Sequence, residues 1–107
     1  MAVNFHDIGG RFSLTFETGV NGEADEAVFA SGHEPNGYFW EGFAQFAWPE
    51  LSGRVSLDSE AGAFVAYGDD KEALRSFQAI WEATVVDPQK ISEIIARAEA
   101  EGFEFDD

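Results

Sequence analysis

The chain has 107 residues, the length of one domain, and carries 21 acidic against 6 basic side chains for a formal net charge of −15. A surface so acidic excludes nucleic acid and anionic membrane as partners. The absence of cysteine removes disulfides, thiolate nucleophiles and cysteine-based zinc sites, and suits a reducing compartment.

The N-terminal stretch MAVNFHDIGG has neither the basic start nor the apolar run of a secretory signal, and no apolar run approaches the ~20 residues that cross a bilayer. The expected location is cytoplasmic. Val3 and Phe5 alternate ahead of the turn signal Ile8-Gly9-Gly10, and RFSLTFE, Arg11 to Glu17, alternates strictly. That pattern puts Phe12, Leu14 and Phe16 on one face and Ser13, Thr15 and Glu17 on the other, so the two runs read as a hairpin. GVNGEADEAVF opens on turn residues, after which Ala24, Ala27 and Val28 share one side of a short helix ending near Gly32.

NGYFWEGFAQFAW, Asn36 to Trp48, is dense in aromatics. Asn36 can cap a helix and Pro49 forces Trp48 out of helical geometry, which delimits a helix from Gly37 to Ala47. Phe39, Phe43 and Phe46 recur at i, i+4 and i+7, with Trp40, Ala44 and Ala47 widening the stripe. This is the periodicity of a helix packed on a core rather than of a ligand platform. The same phase turns Tyr38, Glu41, Gln45 and Trp48 outward, and exposed aromatics beside an acid are common ingredients of protein interfaces.

Arg54 to Asp58 and Ala63 to Tyr67 form a second hairpin joined by SEAG, with Gly62 available for positive φ. Asp69, with Glu72 three residues on, has the pattern of a capping box; Ala73, Leu74, Phe77, Ile80, Trp81, Thr84 and Val85 then line one side of a helix. Asp87 and Pro88 open a last helix in which Ile91, Ile94, Ile95 and Ala98 align, and Gly102 stops it. FEFDD adds an edge strand or a docked tail. The expected fold is α+β, a single domain over residues 1–107, with a mostly antiparallel sheet of about four strands and three to four helices packed over one face.

Catalytic chemistry is absent from the pattern. His6 and His33 are the only imidazoles and neither has a metal-site or triad spacing; no glycine cluster precedes Lys-Ser or Lys-Thr. DSEAG, Asp58 to Gly62, lacks the alternating ligands and closing Glu of a calcium loop. No catalytic residue, metal site or cofactor is expected, and a binding protein fits better than an enzyme. The acids are unevenly spread. No Lys or Arg lies between Arg11 and Arg54, where Glu17, Glu23, Asp25, Glu26, Glu34, Glu41 and Glu50 all fall, and Glu99, Glu101, Glu104, Asp106 and Asp107 end the chain. Glu99 and Glu101 also oppose the dipole at the last helix's C-terminus, each costing ~0.3–1 kcal/mol, which suggests retention for a basic partner. Acids that merely keep the protein soluble explain the same charge.

PNGYFWEGFAQ, residues 35–45, and LDSEAGAFVAYGDDKEAL, residues 57–74, resemble the immunity protein 51 family of bacterial polymorphic toxin systems. The resemblance runs from about Phe29 onward. It places Asn36, Gly37, Tyr38, Trp40 and Gly42 in one motif and Glu60, Gly62, Tyr67, Gly68, Asp69 and Asp70 in the other. It implies a cytoplasmic antitoxin that binds one cognate toxin domain and blocks it; a basic nuclease would suit an acidic inhibitor. The expected mode is stoichiometric binding by a monomer or weak homodimer. The residues expected to meet the partner are Glu34, Tyr38, Glu41, Trp48, Asp70, Glu99 and Glu101. The alternative is an acidic DNA mimic that inhibits a nucleic-acid-binding protein.

Overall fold

The structure is a computed structural model that describes residues 3–106, so Asp107 of the terminal acid block lies outside the described residues. β1 (Val3–Ile8) and β2 (Arg11–Glu17) pair antiparallel from Val3 opposite Phe16 to Ile8 opposite Arg11. Their turn uses Gly9 and Gly10 at φ of 60° and 87°, a backbone region that side-chain-bearing residues avoid. The second hairpin comprises β3 (Ser56–Leu57) and β4 (Ala63–Gly68), and β4 pairs along the whole of β2. The sheet order is therefore β1-β2-β4-β3, antiparallel throughout.

β3 is shorter than the span from Arg54 to Asp58 expected for it, because a side chain takes over the ladder. The Asp58 N–H donates to the Val65 carbonyl at 3.0 Å, but the Val65 N–H turns to the Ser59 hydroxyl at 3.1 Å instead of to a strand carbonyl. Gly62 does not adopt the positive φ foreseen for it. The loop closes by exchange between Glu60 and Ala63, whose N–H and C=O groups bond each other at 2.9 and 3.1 Å.

Five helices lie among the described residues. α1 spans Glu23–Ala30, α2 Gly37–Ala47, α3 Pro49–Ser52, α4 Lys71–Thr84 and α5 Pro88–Ala100. Asn36 caps α2 by accepting the Phe39 N–H at 2.8 Å, and Asp87 caps α5 by accepting that of Lys90 at 3.1 Å. The α4 cap is Asp70 rather than Asp69: its Oδ1 accepts the Ala73 N–H at 3.0 Å while Arg54 clamps the same carboxylate. α3 had no separate signal beyond Pro49. Among the described elements, α4 lies across β1, β2 and β4, α2 meets β4, and α5 packs on α2 and α4 with α1 against it.

The sheet and the helices bury one aromatic core centred on Trp81, which is fully buried. Its ring lies within 4.8–6.4 Å, centroid to centroid, of Phe16, Trp40, Phe43, Trp48, Phe64 and Phe77. Such edge-on and stacked pairs add ~0.5–1.5 kcal/mol each to what burial contributes. Phe39, Trp40, Phe43 and Ala44 of the α2 stripe are also fully buried, so these aromatics of the Asn36–Trp48 stretch are interior. Trp48 corrects its expected outward position. At φ −133° and ψ 64° it has left the helix, and its ring turns back edge-on to Trp81 at 4.8 Å and to Phe43 at 5.7 Å.

The chain end is a docked tail, not a strand. α5 stops with the Gly102 N–H on the Glu99 carbonyl and the Phe103 N–H on that of Ala98, Gly102 sitting at φ 81°. Phe103 then packs beside Phe46 at 5.4 Å and Phe105 beside Phe39 at 4.8 Å, both ring pairs tilted.

Candidate functional site

The two sequence motifs that stand apart from generic helix and strand patterns meet in space. The N-terminus of α2 abuts the turn at residues 59–62. The Gly37 N–H donates to the Ala61 carbonyl at 3.0 Å, the Ser59 N–H donates to Glu41 Oε1 at 3.2 Å, and Thr18 reaches the Ala61 carbonyl through its hydroxyl at 3.2 Å. A Cβ on Gly37 would overlap the carbonyl oxygens of Glu60 and Ala63, so only glycine allows this approach. Much of the motif chemistry thus serves folding. Glu41 is half-buried at this junction and its carboxylate holds a loop, whereas Tyr38 in the first turn of α2 is 43% exposed.

A second group gathers Glu34, Glu99 and Glu101. His33 Nε2 sits 3.2 Å from Glu99 Oε2, which brings the loop after α1 to the C-terminal turn of α5. The His33 ring forms a three-ring cluster with Phe39 at 5.5 Å and Phe105 at 4.9 Å, so the tail closes over the same spot. Glu104 and Asp106, exposed on either side of Phe105, thereby join the acidic edge. The alternation FEFD was the sequence signal that could have placed them there, because the phenylalanines that dock turn the intervening acids outward. His33 also gives Glu99 a partner inside the fold, so the dipole cost at that position is not evidence of retention for an external one. Glu101 caps the helix and is exposed.

The remaining expected residues lie apart. Asp70 stands at the start of α4, where Arg54 contacts it at 3.0–3.2 Å and Glu72 at 3.5 Å. The Ala73 N–H and then the Arg54 guanidinium hold the Asp70 carboxyl below its ordinary range, and Asp70 in turn raises Arg54. Trp48 is half-buried and packs against the core. The seven residues are therefore not one patch. Glu34, Glu99 and Glu101 form an edge, Tyr38 and Glu41 share a helix, and Asp70 and Trp48 have structural partners.

Among the described residues no cluster of three or more His, Asp or Glu side chains could hold a metal ion, and no helix is long and apolar enough to cross a membrane. Residues 6–100 match the family model described as immunity protein 51. Neither a curated protein nor a solved structure matches the chain.

Proposed function

This chain belongs to the immunity protein 51 family, and from that premise we propose that it neutralises one cognate toxin domain by stoichiometric binding, without catalytic turnover. The family match over nearly the whole chain carries the reading. The toxin we propose is a nuclease. A cleft that holds phosphates is electropositive, and an inhibitor with a charge of −15 can be drawn to it rapidly and can place carboxylates where phosphates would sit. The edge formed by Glu34, Glu99, Glu101, Glu104 and Asp106 is the region we assign to that contact, with Tyr38 as an exposed aromatic on a neighbouring element.

Titration against the toxin domain that co-purifies with this protein tests the proposal. Residual toxin activity should fall linearly and reach its floor at one equivalent of this protein. Inactivation of excess toxin by sub-stoichiometric amounts would replace stoichiometric binding with an enzymatic mechanism. Equal inhibition of unrelated DNA-binding proteins would point to a general DNA mimic instead.

A further inference from the structure

We propose that the hollow between the β2–α1 loop and the α4–α5 junction seats one cationic side chain, a lysine or arginine, of the protein partner; the identity of that partner rests on the function proposed above. The hollow is about 170 Å³ and is lined by Val20, Asn21, Val85 and Val86. Adjoining it, in the first turn of α1, Asp25 is only 8% exposed. Its Oδ2 accepts the Asn21 N–H at 2.9 Å, while its Oδ1 is buried without a donor.

Asn21 carries the same deficit. Its Nδ2 donates to the Glu17 carbonyl at 2.8 Å, which fixes the amide orientation and leaves Oδ1 buried with no donor. Both orphaned atoms are acceptors, so neither can satisfy the other. Removing a carboxylate from water without replacing its donors is costly, and a deficit of this kind requires a reason. Nearby sequence offers no cation, since Lys and Arg are missing between Arg11 and Arg54. Glu23 and Glu26 flank Asp25 on α1 and add to the negative potential.

The rim fits the rest of such a side chain. Val20 and Val86 are 60% and 68% exposed, and their apolar surfaces suit the methylene stem of a lysine or arginine whose head reaches the oxygens below. Asn21 lines the hollow and its N–H binds Asp25, but both orphaned oxygens are buried, so the head reaches them only if the loop yields. Val20 and Asn21 are bracketed by Gly19 and Gly22, at φ of 77° and 52°, and in this proposal the loop yields at that short segment.

The probe is methylguanidinium chloride, with methylurea as a neutral control and tetramethylammonium chloride to match ionic strength. Amide NMR of the full chain should show saturating shifts at the Asn21 backbone and side-chain N–H groups and at Gly22. Methylurea should bind at least about tenfold more weakly, because it lacks the charge-assisted bond. In Asp25→Asn the response should vanish while the fold persists, since an amide there can donate to an acceptor such as Asn21 Oδ1. Should that variant fail to fold, Val86→Trp covers the mouth without touching either acceptor and should also abolish the shifts. Non-saturating shifts, an equal response to methylurea, or an unchanged response in the variant that folds would overturn the seat. The probe needs no toxin, so a saturable site in a chain that neutralises no toxin sinks the proposed function and leaves the seat intact.

Discussion

Gly37 and Gly42 sit in the same helix and should answer the same substitution with opposite signs. A Cβ at Gly37 would strike the backbone carbonyls of Glu60 and Ala63, which cannot swing aside, whereas one at Gly42 would rest 3.5 Å from the rings of Phe103 and Phe105 in ordinary contact. Gly37→Ala should therefore cost ~3 kcal/mol through overpacking. Gly42→Ala should gain ~0.5–1 kcal/mol from helix propensity and a less flexible unfolded chain. Urea unfolding of the two variants reads both, and a stable Gly37→Ala would mean that the α2 junction is looser than its contacts. The sequence marked Gly37 as the first residue after a cap; that a distant turn presses on it is a tertiary fact with no local signature. Asp70 offers a test by pH. Its carboxyl is lowered by the Ala73 N–H and then by Arg54, so the stability it contributes is in place above the unfolded value of about 4 and is lost as pH falls through the lower folded value. Asp70→Asn should melt below wild type at about pH 7, modestly because the pair is exposed, and the gap should close near about pH 2. A gap that persisted in acid would show that the lost charge was not the cause.

The elements that could be read from sequence are those whose signals are local and whose limits are chemical. α2 was delimited by Asn36 and Pro49, α5 by Asp87, Pro88 and Gly102, and the first hairpin by strict alternation and two glycines, and each forms where those signals put it. The pattern misleads past an element's end and where tertiary contact chooses between equals. The helical phase turns Trp48 outward, but Trp48 lies beyond the last helical residue and its ring packs against the core. Asp69 and Asp70 could each cap α4, and the clamp from Arg54 accompanies Asp70, a contact that no spacing rule contains. The packed position of Trp48 has a direct energetic consequence. Trp40→Ala should cost ~3–5 kcal/mol and Trp48→Ala, half-buried but edge-on to three rings, ~2–3 kcal/mol. The double variant should lose less than the sum, because both indoles pack on Trp81 and share the cavity. A Trp48→Ala protein within ~0.5 kcal/mol of wild type in denaturant titration would return this ring to the surface and make it available to a partner.

At the scale of the whole molecule, charge was legible as a sum but its geography was not. Composition gave −15, yet the gathering of Glu34, Glu99, Glu101, Glu104 and Asp106 depends on His33 meeting Glu99 and on Phe105 closing over His33, contacts between segments far apart in the chain. Whether that edge steers a basic partner can be separated from its role in solubility by neutralising two of its members. Glu99→Gln with Glu101→Gln removes two charges that oppose the α5 dipole and relieves self-repulsion, but weakens the contact with His33, so stability should change little. Binding kinetics should change more. Association with the cognate toxin should slow by ~3–10-fold at low ionic strength while dissociation stays nearly constant, because steering acts on the approach of the partners rather than on the formed contact. Added salt should shrink the difference, as screening over ~8–10 Å at physiological ionic strength removes the advantage of exposed charges. Stopped-flow measurement across a salt series gives both quantities. If the double variant associates as fast as wild type at low salt, the edge keeps the protein soluble and nothing more, and the interface must be sought on the α2 face around Tyr38 and Glu41, where the aromatic is exposed but the carboxylate is committed to the 59–62 turn.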